Sequence, residues 1–308
     1  MRRAVIDVGS NSVLLSVCEE QDGKWVPIVE TSNVTALGAG TKETGLLSEE
    51  GMSSTLKAIK DGFDLAAVHG VKDVLAGATM AARIATNTEE FLARATRQGT
   101  PVIVLSGEQE AELGFLAVAE DPLFSEDDRL SIIDPGGQST EVVTAEKVDG
   151  KWEVRFRRSF PVGTLGLRGT VLKSESPSPP EILNAVIMLD DLIGMEFRPA
   201  AAGRAVVLGA SGTNLVTIRD RMTEWDPAKV HGAWLDFEEV SKAVGWMMPM
   251  TDLQRSLIIG IEPGREKTIH LGSLILERFL WSLHVLGVTV SVRGWRHALL
   301  ARGNVISI

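Results

Sequence analysis

The sequence predicts an α/β protein built from two duplicated domains, and three observations carry that prediction. The chain has 308 residues, which at ~150 residues per domain leaves room for two cores. Strand-like apolar runs alternate with helical stretches, the pattern of a layered α/β architecture. Two segments, Ile6-Asp7-Val8-Gly9-Ser10-Asn11-Ser12 and Ile133-Asp134-Pro135-Gly136-Gly137-Gln138-Ser139, echo each other at 134 − 7 = 127 residues, as duplicated domains would.

The elements follow in order. Arg3 to Val8, Ser12 to Val17 and Trp25 to Val29 read as a β-meander punctuated by Gly-Ser-Asn and by Asp22-Gly23. A helix is expected from about Ser48 to His69. Strand signals at Val71 to Ala76 and Pro101 to Leu105 then alternate with helical stretches at Ala81 to Ala85 and Glu89 to Gln98. Ser106-Gly-Glu-Gln109 has the form of a capping box, so a helix should start there and run to about Ala119. The polar stretch 120–128, with Pro122, is the natural boundary, giving domains at 1–121 and 122–294. A second meander follows: Leu130 to Ile133, Ser139 to Ala145 and Trp152 to Phe156, turning at Pro135-Gly136-Gly137 and Asp149-Gly150. Ser178-Pro-Pro-Glu181 reads as a helix start. Ala205 to Leu208 is a strand running into a glycine loop, Gly209 to Thr213. Residues from Phe237 onward read as mostly helical, apart from a strand near Val288 to Val292.

Composition excludes several functions. The chain is 44% hydrophobic and 23% charged, and it has no apolar run of the ~18 residues a bilayer crossing needs. Leu271 to Val292 is broken by Glu277 and Arg278, and Asp7 interrupts any signal-peptide core, so no membrane partner and a cytoplasmic location are expected. The single Cys18 rules out an internal disulfide or zinc ribbon, and the absence of Tyr removes phenolic acid–base chemistry. The five histidines show no paired spacing, so a metal site would be built from oxygen. A net charge of −10 disfavours nucleic acid, and any polyanion must be held locally.

Such local holding is what the echoed turns offer. Glycine lets backbone N–H groups approach an anion, neighbouring Ser, Thr and Asn add donors, and the Asp ending each first strand is placed for a cation bound to that anion. A lone Asp-x-Gly turn is usually an ordinary turn. Two matching turns, together with Gly209-Ala-Ser211-Gly212-Thr213 before a helix, favour phosphate binding.

Taken together, Asp7-Val-Gly-Ser-Asn-Ser12, Ala78-Thr-Met-Ala-Ala-Arg83, Ser106-Gly-Glu-Gln-Glu-Ala111, Asp134-Pro-Gly-Gly-Gln-Ser-Thr-Glu141, Gly209-Ala-Ser-Gly-Thr213 and Ser291-Val-Arg-Gly-Trp-Arg296 resemble, in order and over nearly the whole chain, the exopolyphosphatase/guanosine pentaphosphate phosphatase (Ppx/GppA) family. The resemblance implies two duplicated actin-like (ribonuclease H-like, sugar-kinase-like) domains with the active site in the interdomain cleft, and a last helix, about 295–308, returning onto the first domain. It implies Mg2+- or Mn2+-dependent removal of the terminal phosphate from inorganic polyphosphate or guanosine pentaphosphate. By motif position Glu110 resembles the general base, Asp134 and Glu141 the essential acidic pair, with Asp7 as a further metal ligand. Arg83, Gly9, Ser10, Asn11, Ser12, Gly136, Gly137, Gln138, Ser139, Thr140, Gly209, Ser211, Gly212 and Thr213 become the expected phosphate contacts. In chemical terms, displacement at phosphorus needs an oriented, deprotonated water and neutralised charge, which a carboxylate, an arginine fork and a metal provide.

The pattern is broken at Met80 and Ile84, which thin the polar support of Arg83, and at Gln109, Glu112, Gln138 and His297. Glu112 puts a like charge near Glu110, and Gln138 adds bulk where backbone should meet phosphate. The resemblance of the scaffold to kinases keeps phosphotransfer from polyphosphate to ADP in view, and Gln109, Glu112 and Gln138 keep in view a sensor that binds phosphate chains or alarmone without turnover. The resemblance is to a short form, for which the extra C-terminal helical domains of longer members are not expected, and Arg155, Arg157, Arg158 and Arg168 form a basic stretch that would steer a polyanion. Exposed apolar faces on the C-terminal helices suit a homodimer.

Overall fold

The structure, a computed structural model, describes residues 1–194 and 202–302. Its contacts divide the chain into two compact units, Met1–Leu113 with the segment from Trp295, and Gly114–Gly294. Each unit has its own apolar core.

In unit 1 the meander consists of β1 (Arg2–Val8), β2 (Ser12–Gln21) and β3 (Lys24–Val34). Then come α1 (Thr41–Thr44), α2 (Glu49–Val68), β4 (Val74–Ala78), α3 (Met80–Ile84), α4 (Thr88–Arg97) and β5 (Ile103–Val104). The sheet order is β3-β2-β1-β4-β5, with β2 antiparallel and β4 parallel to β1. Ala4, Val5 and Ile6 are all buried because β1 is the central strand. Ile6 lies against Gly62 of α2, where a Cβ would come within 2.9 Å of its Cδ1. Ser48 caps α2 by accepting from the Gly51 N–H.

The next helix, α5 (Gly107–Ala119), opens with the expected capping box: Ser106 Oγ accepts from the Gln109 N–H at 3.1 Å, and Gln109 Oε1 accepts from the Ser106 N–H at 2.9 Å. The division between units falls inside this helix, earlier than the polar stretch 120–128, because its second half packs with unit 2. Phe115 meets Trp152 edge-on at 5.7 Å, and Gly114 lies against Leu208.

Unit 2 contains β6 (Arg129–Pro135), β7 (Thr140–Val148), β8 (Lys151–Phe160), α6 (Thr164–Thr170), α7 (Pro179–Gly194), β9 (Arg204–Val207), α8 (Gly209–Arg219), α9 (Pro227–Val230) and β10 (Trp234–Asp236). It continues with α10 (Phe237–Met247), α11 (Asp252–Ser256), α12 (Ile269–Leu283) and β11 (Gly287–Val290). The sheet order β10-β11-β9-β6-β7-β8 repeats the plan of unit 1, with β10 added at one edge. After it α13 (Trp295–Arg302) packs on β1, β2 and β3 of unit 1. The rest of the expected 295–308 helix lies outside the described residues.

The repeat is finer than the motif. Asp22-Gly23 and Asp149-Gly150 share left-handed turns with φ of 51° and 76° in both. Each meander carries a register shift, after Val17 in one and after Thr144 in the other, again 144 − 17 = 127 apart. No helix among the described residues is long and apolar enough to cross a membrane.

Two readings are corrected. Gly209 to Thr213 is not a loop but the first turns of α8, because Gly209 takes a left-handed φ of 72° and turns the chain directly from strand into helix. The basic stretch is not one open patch. Arg168 lies on α6 and pairs with Asp252 at 2.7 Å, Arg155 on β8 is held by Glu146 and Glu153, and Arg158 stacks on Phe160 at 4.9 Å.

Candidate active site

The functional side chains fall into two constellations, one in each unit. In unit 1, β1 ends at Asp7 and the chain turns through Gly9-Ser10-Asn11-Ser12, closed by the Gly9 N–H donating to Ser12 O at 2.9 Å. A Cβ on Gly9 would meet that same oxygen at 2.9 Å, so the closure requires glycine. The turn's carbonyls are tied back. Asn11 O accepts from the Thr35 and Ala36 N–H groups and Ser10 O from that of Gly38. Ser10 Oγ accepts from the Ala81 N–H at 3.1 Å, joining the turn to the start of α3.

Among the described residues Asn11 Nδ2 and Ser12 Oγ are buried without a hydrogen-bond partner, and both residues are only 6% exposed. An orphaned buried donor costs about 1–3 kcal/mol. A ligand oxygen at the turn would satisfy both.

Asp7 is pushed up to about 7, first by burial, against which the Arg296 charge and a hydrogen bond from the Trp295 side chain both work downward. Removed from these two residues in sequence but joined through α13, Glu30 is held at about 2. Burial works against its ionisation and is overcome by hydrogen bonds and charge from His297, Arg296 and Ser16.

The two residues assigned different roles by the sequence, Arg83 and Glu110, are in contact. Arg83 Nη1 donates to Glu110 Oε2 at 2.8 Å and to Leu105 O at 2.8 Å, while Nη2 reaches Met80 Sδ at 3.5 Å. The side chains are 17% and 11% exposed, so this is a largely desolvated pair. Arg83 therefore spends part of its fork on orienting Glu110.

In unit 2 the equivalent turn is closed by the Gly136 N–H on Ser139 O at 2.8 Å, and its carbonyls are again tied back. Gly136 O accepts from Thr164 and Gly137 O from Leu165 at the start of α6. Gln138, Ser139 and Thr140 are buried, and Thr140 Oγ1 donates to Val162 O at 2.7 Å. Asp134 pairs with Glu141 in the β6–β7 ladder, which sets both carboxylates on one face of the sheet. Glu141 is 4% exposed and accepts from Ser159 Oγ at 2.6 Å. Sequence reasoning supplied no partner for it except a cation.

Gly209 stands beside Asp134, where a Cβ would lie 3.0 Å from Oδ1. Ser211 turns inward against Gly272, and Gly212 packs on Val207, where a Cβ would fall 2.5 Å from Cγ1. Both serve packing between elements, leaving Gly209 and the partly exposed Thr213 as the more accessible residues of this group.

Carboxylate oxygens suit Mg2+ or Mn2+. Among the described residues, no three or more His, Cys, Asp or Glu side chains form a ready-made metal cluster. The donor set fits Mg2+, which commonly takes one or two carboxylates and completes its shell with phosphate and water. In unit 2 those two would be Asp134 and Glu141.

A family model described as the Ppx/GppA phosphatase family matches residues 16–303. The chain belongs to that family. Exopolyphosphatase 2 of Mycobacterium tuberculosis is 29% identical over 290 residues, covering 90% of this chain and 89% of that protein. Exopolyphosphatase 1 of the same organism is 28% identical over 315 residues, covering 98% and 88%. A crystal structure of the Aquifex aeolicus Ppx/GppA family member aligns with a TM-score of 0.78 at 32% identity, covering 98% of this chain and 97% of that one. An exopolyphosphatase structure from Cytophaga hutchinsonii, at 22% identity and a TM-score of 0.85, shares the actin-like two-domain fold.

Several departures from the Ppx/GppA pattern now have structural places. Gln109 is used in the cap of α5. Glu112, two residues beyond Glu110, sits roughly 200° around the helix from it and does not share its face. Gln138 is 1% exposed, tucked into the protein. His297 meets Glu30 at 3.2 Å, which a Glu at this position would repel.

Proposed function

We propose that this Ppx/GppA protein is a Mg2+-dependent hydrolase that releases terminal phosphate from short inorganic polyphosphate or guanosine pentaphosphate. The observation that carries the reading is Glu110, fixed by Arg83 in the same unit as a glycine turn whose buried Asn11 and Ser12 donors lack partners among the described residues. The names of the M. tuberculosis relatives add support, since both are exopolyphosphatases.

In this account the Gly9–Ser12 turn and its counterpart at 136–140 bind phosphate oxygens through backbone N–H groups and side-chain donors. Glu110 takes a proton from the attacking water through its carboxylate, and Arg83 keeps that carboxylate in one orientation. Asp134 and Glu141 would hold Mg2+, which when bound neutralises charge on the transferring phosphate. The net charge of −10 favours short chains or a nucleotide over a long polymer.

The test is orthophosphate release from a short polyphosphate and from guanosine pentaphosphate, each with Mg2+ or EDTA and with or without ADP. Release that requires Mg2+ and makes no ATP is expected. ATP formation with ADP would establish phosphotransfer instead. Binding of either ligand with no release under any condition would establish a sensor.

A further inference from the structure

Asp7 and Asp134 occupy equivalent points of the duplicated meander, yet their surroundings differ. Asp134 faces Glu141 across β7, whereas Asp7 faces Leu14 across β2. On its other side Asp7 is the ladder partner of Gly77 in β4. The space left by that glycine is filled by the Trp295 ring, because a Cβ on Gly77 would come 2.8 Å from Cη2. Trp295 opens α13, is 3% exposed, and its side chain hydrogen-bonds to Asp7.

The indole N–H can only donate. Beside Asp7 it is therefore a donor that favours the ionised carboxylate, as its downward pull on the Asp7 pKa shows. The helix that carries it is itself anchored to the meander. Arg296 Nε donates to Ser16 Oγ at 2.7 Å, and Arg296 and His297 both meet Glu30. Asp7 Oδ1 lies next to the phosphate turn, 3.7 Å from where a Gly9 Cβ would be.

We propose that Trp295 is a positioning residue for Asp7: its indole N–H holds the carboxylate in the orientation that presents it to the Gly9–Ser12 turn and to a divalent cation carried there with phosphate. This role rests on the reading that Asp7 serves such a cation. Neither the turn motif nor the duplication points to it, since unit 2 places Glu141 and the Gly209 backbone beside Asp134 rather than an indole.

Two measurements on the full chain test it. In the first, indole 1H–15N correlations are recorded for the wild type, for Trp295→Phe, which identifies its signal among seven tryptophans, and for the isosteric Asp7→Asn. The Trp295 signal is expected to move upfield in Asp7→Asn, and an unmoved signal overturns the proposal. This arm does not depend on whether Trp295→Phe folds.

In the second, Mn2+ affinity is measured by the paramagnetic resonance of free Mn2+ in the presence of inorganic phosphate, without turnover. Loss of an outer donor to a ligating carboxylate is expected to weaken binding by roughly 10-fold or more in Trp295→Phe, whose ring is retained. If Asp7→Asn weakens Mn2+ binding and Trp295→Phe does not, positioning is refuted while the cation reading stands. If Asp7→Asn leaves Mn2+ affinity unchanged, the cation reading of Asp7 fails and this role fails with it.

Discussion

Replacing Arg83 by Met removes the cation that holds Glu110 and leaves a carboxylate only 11% exposed without its 2.8 Å partner. It also removes the donor to Leu105 O. Breaking a fully buried ion pair from one side costs about 3–5 kcal/mol. With residual exposure on both side chains the expected loss here is about 2–3 kcal/mol. For a chain of this size that is roughly a 3–5 °C drop in melting temperature. Glu110→Gln alone should cost less, about 1 kcal/mol, because a neutral amide still accepts from Arg83. The double variant should recover much of the loss, since the Glu110 charge that Arg83 offsets is then removed as well. Urea unfolding followed by circular dichroism, with all four proteins, gives the coupling directly, and about 2 kcal/mol is expected. Single effects that add to within ~0.5 kcal/mol would show that the two residues are not coupled and that Arg83 does not position Glu110.

Three further outcomes follow from the same geometry. Glu30 is held at about 2 in the folded protein against an ordinary 4.5, so its stabilising contribution is fully present above pH 4.5 and is lost as pH falls toward 2. Glu30→Gln should flatten acid unfolding in that window and lower stability at pH 7 by about 2 kcal/mol. Gly163→Ala would drive a Cβ to 2.5 Å from the Gly137 carbonyl carbon, and it should cost at least about 2 kcal/mol by thermal melting while weakening sulfate binding at the 136–140 turn. His270 is 0% exposed, has no partner at either ring nitrogen among the described residues and is driven down to about 2 by burial and by the charges of Arg255 and Arg168. His270→Leu should therefore be neutral or raise stability by about 1 kcal/mol.

The duplication was legible because its signals are local. Asp-x-Gly turns, period-two alternation and Asp-Gly hairpins survive in both copies at one constant offset, and they place Asp7 and Asp134 without any tertiary knowledge. The partners of the site residues were not legible, because they come from register and from distant chain. Counting back from the Asp149-Gly150 turn in an unbroken hairpin would set Arg158 opposite Glu141. The bulge after Thr144 moves the pairing by one, so Ser159 stands there instead. No composition signal marks that bulge.

Trp295 and Arg296 were visible as a motif but silent as neighbours of Asp7, since only the return of α13 onto unit 1 joins residues this far apart in the chain. Gly209 to Thr213 misled for the opposite reason. A Gly-Ala-Ser-Gly-Thr run has the composition of a loop, yet burial of Ser211 and Gly212 against Gly272 and Val207 makes it the start of a helix.

The proposed mechanism turns on Glu110 acting as the base for water attack on a terminal phosphate. The direct measurement is orthophosphate release by the wild type and by Glu110→Gln on one short polyphosphate with Mg2+, alongside the binding affinity of each protein for that ligand. A fall in turnover of about 10²-fold or more with binding retained is expected. Equal turnover in the two proteins would contradict it.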